Sequence, residues 1–182
     1  MPKRDRNGQA EIWTDEKLDQ LWLELAPRFR ALFSICLYTG CRVSEARQLQ
    51  AEDVIGSHIV FRKQTTKSKG TRQVKIHPKL ITVLGGIELP SEGYLFPGKF
   101  RGCITRQTAD HALRQACDRL GFRGYSTHSF RRTALTRLSN AGTPLRVIQK
   151  ISGHASLAEL QKYLEVTDDQ LEDAISYILI FE

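Results

Sequence analysis

Four short stretches of this 182-residue chain carry side chains suited to holding a phosphate group. In "THSFRR", His128 stands three positions ahead of Arg131, so on a helix the two project from one face. "TGCRVSE" sets Arg42 at the start of a segment with Glu45 one turn on, and "SGHASLAELQKY" has His154 after a glycine with Tyr163 nine residues later. "KQTTKSKG" gathers Lys63, Lys67 and Lys69 in one basic turn. A guanidinium keeps its charge at any working pH and offers a planar fork matched to phosphate oxygens. An imidazole can donate a hydrogen bond or pass a proton near neutrality. Each stretch alone also fits an ordinary role: a helix cap with a solvated arginine, a weak i,i+3 ion pair, a loop histidine with a half-buried aromatic, and a charged turn.

Composition narrows the partner before it narrows the chemistry. Twenty-seven Lys and Arg against twenty Asp and Glu give a formal charge of +7, which favours a polyanion such as nucleic acid. An apolar fraction of 41% and a charged fraction of 26% belong to a folded domain, not to a disordered chain. The run "YILIF" is far too short to span a bilayer, and the polar start "MPKRDRNGQAEIW" lacks the apolar stretch of a secretory signal. A cytoplasmic protein without membrane contact is expected. Cys36, Cys41, Cys103 and Cys117 show no C-x-x-C pair, so reduced, mostly buried thiols and no zinc are expected.

The elements that must position these residues are mostly helical. Thr14 caps "DEKLDQLWLEL", whose Leu18, Leu21, Trp22 and Leu25 share a face and which ends before Pro27. "RFRALFSICLYTG" is a largely buried second helix stopped by Gly40, and Arg42 opens a third that runs to Gln50. From Ser57 the pattern alternates: "HIVFRK" and "RQVKIH" read as a β-hairpin with a flexible positive tip. Residues 78–84 form a short helix, and the Gly- and Pro-rich run that follows is loop, a candidate seam between subregions. Helices then follow to the end, punctuated at Gly121, Gly142 and Gly153. In the helix of "THSFRR", Phe130, Ala134, Leu135 and Leu138 face inward, and Arg132 is left to the helix surface or to a DNA backbone. The fold class is mainly α with a small antiparallel β-sheet, in one domain over residues 1–182, with 1–13 a flexible lead-in.

In their order and spacing the four stretches resemble the tyrosine recombinase (phage integrase) family, from about Thr14 to Tyr163. That family carries an arginine in a TG-x-R-x-S-E segment, a lysine on a hairpin some two dozen residues later, an H-x-x-R box, and a G-H pair with a tyrosine nine residues after its histidine. Here these positions are Arg42, Lys67, His128 with Arg131, and His154 with Tyr163. The chain departs from the pattern at Ser152, where the family often has leucine. It departs again at the front: with forty-one residues before Arg42, no separate core-binding domain is expected.

The resemblance implies a mainly helical catalytic domain that cleaves and rejoins double-stranded DNA with neither metal nor nucleotide cofactor. Tyr163 would be the nucleophile, leaving a 3′-phosphotyrosyl link. Arg42, Arg131 and His154 would bind the scissile phosphate, and His128 would do likewise or assist proton transfer. Lys67, or Lys69 if the register slips, would protonate the leaving 5′-oxygen, and Glu45 would brace the architecture. The resemblance also implies a homotetramer on paired sites, accessory DNA-binding proteins, and a tail helix over 165–182 that docks on a neighbouring protomer or in cis. Two other outcomes share these residues: relaxation of DNA as by a type IB topoisomerase, and a non-catalytic DNA-binding remnant.

Overall fold

The computed structural model describes residues 9–66, 70–100, 102–164, 171–172 and 175–176. Helix α1 (Asp15–Glu24) starts where Thr14 accepts a hydrogen bond from the Lys17 backbone, and it buries Leu18 and Leu21. Helix α2 (Pro27–Thr39) has proline in its first turn and ends on Gly40 at φ +64°, a left-handed cap that costs glycine little. It is the central helix, with Ala31 through Leu37 buried without a break. Helix α3 is one turn, Val43–Ala46, shorter than the run to Gln50 expected from its periodicity.

Strands β1 (Val54–Ile55), β2 (His58–Phe61) and β3 (Arg72–Lys75) form an antiparallel sheet in that order. The expected hairpin is β2–β3, in register from His58↔Lys75 to Phe61↔Arg72. Its core face alternates as period two requires: Ile59 and Phe61 are buried, Ile59 across from Val74 and Phe61 across from Arg72, with Ile76 buried just past β3. Across the neck of the tip, Thr66 Oγ1 donates to the Gly70 carbonyl at 2.9 Å. Lys67 and Lys69 lie outside the described residues.

Helix α4 (Pro78–Gly85) follows, and the Gly/Pro-rich run turns back onto residues 49–51, beyond α3, instead of opening a seam. There Leu95 N–H donates to Leu49 O, and Ala51 N–H to Gly93 O. Helices α5 (Arg106–Arg119), α6 (Thr127–Asn140), α7 (Leu145–Ser152) and α8 (Leu157–Gln161) complete the domain, with Thr105, Ser126 and Ser156 as caps of α5, α6 and α8. The fold is mainly α with a three-stranded antiparallel sheet. No helix among the described residues is long and apolar enough to cross a membrane.

Residues 9–13, read from the sequence as part of a flexible lead-in, are pinned along α6. Trp13 is buried, stacks on Tyr125 at 3.7 Å and on Phe130 at 5.5 Å, and donates its backbone N–H to Thr133 Oγ1. Arg132 serves this segment and is buried, not on the surface: its Nη1 donates to the Ala10 carbonyl at 2.6 Å. The tail expected over 165–182 lies outside the described residues except at four positions, of which Leu171 and Ile175 are exposed.

Candidate active site

Arg131 is almost fully enclosed, at 1% exposure. Two helices that end on left-handed glycines aim carbonyls at it. Its Nη1 donates to Gly40 O at 2.6 Å, past the end of α2, and to Ser152 O at 2.8 Å, at the end of α7 before Gly153 (φ +68°). Helix C-termini leave carbonyls without intrahelical partners and carry partial negative charge, so a guanidinium satisfies both demands. Nη2 lies 2.8 Å from His154 Nε2. Nη2 also lies 3.2 Å from Nδ1, which is 2.7 Å from Ser152 Oγ; arginine can only donate, so a ring nitrogen of neutral His154 accepts. The Ser152 departure from the family pattern thus places a hydroxyl against the His154 ring.

Burial first, then Arg131, Arg42 and Arg72, push His154 down to about 3, so it is neutral at working pH. Burial, then the cation of Arg42, lowers the Arg131 guanidinium to about 10. Tyr163 leans on both: its ring centroid is 5.1 Å from that of His154 and 5.9 Å from Arg131 Cζ. A small apolar cluster of Leu135, Ile148 and Leu160, with Leu138, Leu157 and Leu164 against it, holds the turn that carries Tyr163.

Arg42 is the N-cap of α3, and Glu45, at 1% exposure, folds back to accept its backbone N–H at 2.9 Å. The Arg42 Nη1 approaches Glu45 Oε1 only to 3.6 Å. Among the described residues, Arg42 Nη1 and Arg131 Nε are buried without a hydrogen-bond partner. Arg42, His128 and Arg131 line one cavity of about 450 Å³ together with Ser44, Thr65, Thr66 and Arg106. His128, exposed in the first turn of α6, also lines an adjoining cavity with Tyr163 and Lys162. Of the candidates, Arg42, Glu45, Arg131, His154 and Tyr163 therefore converge, with His128 on the wall common to both cavities. Lys67 is not described, but its neighbour Thr66 borders the first cavity.

The family model for the phage integrase family matches residues 14–170. The chain belongs to that family. The phage integrase relatives include a putative integrase/recombinase, y4qK, of Sinorhizobium fredii, 32% identical over 94% of this chain and 57% of its own length. A tyrosine recombinase XerC of Halalkalibacterium halodurans is 34% identical over 80% of this chain and 52% of its own. The chain thus spans about half the length of these curated relatives. Among solved structures, the XerA recombinase superposes with a TM-score of 0.75 at 25% identity, over 97% of this chain and 66% of that one. The XerH recombinase bound to its difH substrate shares the fold, with a TM-score of 0.71 at 22% identity, over 95% of this chain and 55% of that one.

Sequence reasoning about this phage integrase domain missed Arg72. Its Nη2 donates to Glu45 Oε2 at 2.8 Å and its Nε to Ile151 O at 3.1 Å, with the side chain only 8% exposed. A signal was present: Arg72 lies in phase with Val74 and Ile76 on the buried face of β3.

Proposed function

We propose that this domain breaks and rejoins double-stranded DNA at specific sites through a covalent Tyr163 intermediate. What carries the reading is the convergence of Arg42, Arg131 and His128 on one cavity while Tyr163 faces the next across His128. Three arginines (42, 72 and 131) surround one carboxylate, Glu45, and neutral His154, which leaves an excess of positive charge with buried donors unpaired. A phosphodiester supplies the missing anion, and its five-coordinate transition state, richer in negative charge, profits more from preorganised cations than the ground state does.

In the step, the Tyr163 phenolic oxygen attacks phosphorus while its proton passes to His128 or solvent. The bond from phosphorus to the 5′-oxygen breaks, and that oxygen leaves with a proton from Lys67, or Lys69. The products are a 3′-phosphotyrosyl link and a free 5′-hydroxyl, so reversal by another 5′-hydroxyl rejoins the strands. Arg42 and Arg131 hold the non-bridging oxygens, His154 reorients or retautomerises to donate a third bond, and Glu45 fixes Arg42. A homotetramer on paired sites, with accessory DNA-binding proteins, is the assembly this chemistry would use to exchange strands. The XerH pre-cleavage complex offers the precedent of a recombinase of this fold on its DNA site.

The test is a set of nicked duplexes built from the DNA flanking the coding sequence. The expected result is a protein–DNA adduct that survives denaturant and disappears in Tyr163→Phe, which still binds. An adduct that persists in Tyr163→Phe, or none on any flanking site from folded, DNA-bound protein, overturns the proposal.

A further inference from the structure

We propose that Arg72 is a positioning residue that holds the hairpin, the Arg42 turn and the His154 turn in one register; this rests on the tyrosine-recombinase reading above. Each contact of Arg72 ends on a segment that carries a candidate site residue. Its Nη1 and Nη2 clasp Glu45 at 3.4 and 2.8 Å, and the same carboxylate takes the Arg42 backbone N–H. Its Nε holds the carbonyl of Ile151, three residues before His154 in the last turn of α7. Its guanidinium carbon lies 4.3 Å from the Phe61 ring centroid, and Phe61 and Arg72 are the paired residues from which the lysine-bearing tip departs.

The fit extends to the backbone. Gly153 turns left-handed directly beneath the guanidinium, where a Cβ would stand 2.9 Å from Arg72 Nη1 and 3.1 Å from its Cζ. The glycine that lets α7 end and His154 turn inward also makes room for Arg72. The planar fork is required here because one group must meet a carboxylate with two nitrogens, a carbonyl with the third, and a ring with its face. Lysine can meet Glu45 but cannot make the other contacts at once. Arg72 does not line the cavity shared by Arg42, His128 and Arg131, so its influence on chemistry passes through those residues.

Three cations face His154: Arg131 from α6, Arg42 from the start of α3 and Arg72 from β3. Removing one of them provides a readout that bare destabilisation does not move. The experiment compares the wild-type chain with Arg72→Lys and Arg72→Met, well below the melting temperature of each. Nicked duplex is saturating, and adduct rate, DNA affinity and the NMR titration of the His154 imidazole in DNA-free protein are measured.

The expected result is an adduct rate at least about tenfold lower in Arg72→Met and less reduced in Arg72→Lys, with DNA affinity within about twofold of wild type. The His154 midpoint should also rise in Arg72→Met. Adduct rates equal to wild type in both folded variants, or rates that fall only in step with DNA affinity, overturn the proposal. If the wild-type chain forms no adduct on any site, the strand-transfer reading has failed. The His154 titration then decides alone: a raised midpoint in Arg72→Met supports the positioning role, and an unchanged one overturns it.

Discussion

Arg131→Met should destabilise the DNA-free protein, although substitutions at functional sites often leave stability unchanged or raise it. The donors of Arg131 already serve the fold: Gly40 O at 2.6 Å, Ser152 O at 2.8 Å and His154 Nε2 at 2.8 Å. Hydrogen bonds to a charged group contribute about 1.5–3 kcal/mol each, and the two carbonyls left behind would be buried without donors. Against this stands the cost of keeping a cation in the core. Burial, then Arg42, lowers the guanidinium to about 10, a cost on the order of 3 kcal/mol at about 1.4 kcal/mol for each tenfold change in proton affinity. Methionine fills a similar volume and removes both terms. The balance is a loss of about 2–5 kcal/mol, or roughly 5–15 °C in melting temperature for a domain of this size. Equilibrium urea unfolding without DNA measures it, with Arg106→Met as control, since Arg106 borders the same cavity but is exposed. An unchanged or higher midpoint for Arg131→Met at constant m would refute the view that this residue ties two helix ends together.

Gly153→Ala should cost about 2–3 kcal/mol, the left-handed strain plus displacement of Arg72, and more than Gly40→Ala, where a Cβ meets nothing nearer than 3.6 Å. Urea unfolding of the two variants side by side ranks them, and the reverse order would contradict the packing described. His154, pushed down to about 3 by burial and three arginines, should stay neutral in the free protein. The folded state then binds fewer protons than the unfolded one below the ordinary imidazole value, so the stability tied to this residue is full above about pH 6.5 and lost as pH falls toward 3. An imidazole NMR midpoint above about 5.5 in DNA-free protein would sink this account.

Helices with strong local signals were legible in the sequence. Thr14 and Gly40 mark the ends of their elements because capping is local chemistry. The β2–β3 hairpin declares itself by alternation, whereas β1, two residues long, offers no period to read. The length of α3 was not legible either. Leu49 N–H bonds to Ala46 O as the chain leaves the helix, and Leu49 O then receives Leu95 from a loop more than forty residues away. A helical wheel leaves Arg132 to the helix surface or to a DNA backbone because it counts neighbours within the helix and cannot see residues 9–13 laid across it.

The same blindness explains why the candidate site was read as a list of motifs and not as a mechanism of assembly. Arg131 is in phase with Ala134, Leu135 and Leu138 on the apolar face of α6, and Arg72 is in phase with Val74 and Ile76 on the apolar face of β3. A cation at an apolar position must find partners or the element cannot bury that face. Here the partners come from other elements: the ends of α2 and α7 for Arg131, Glu45 and the end of α7 for Arg72. The two arginines therefore hold the last turn of α7 through adjacent carbonyls, and His154 and Tyr163 follow α7 in the chain. The spacing of His154 from Tyr163 matters because α8 is a single short helix between them, whose Leu160 shares an apolar cluster with Ile148 of α7. Charge placed in the hydrophobic period of two different elements is thus what draws the Arg42, His128–Arg131 and His154–Tyr163 motifs together around two adjoining cavities.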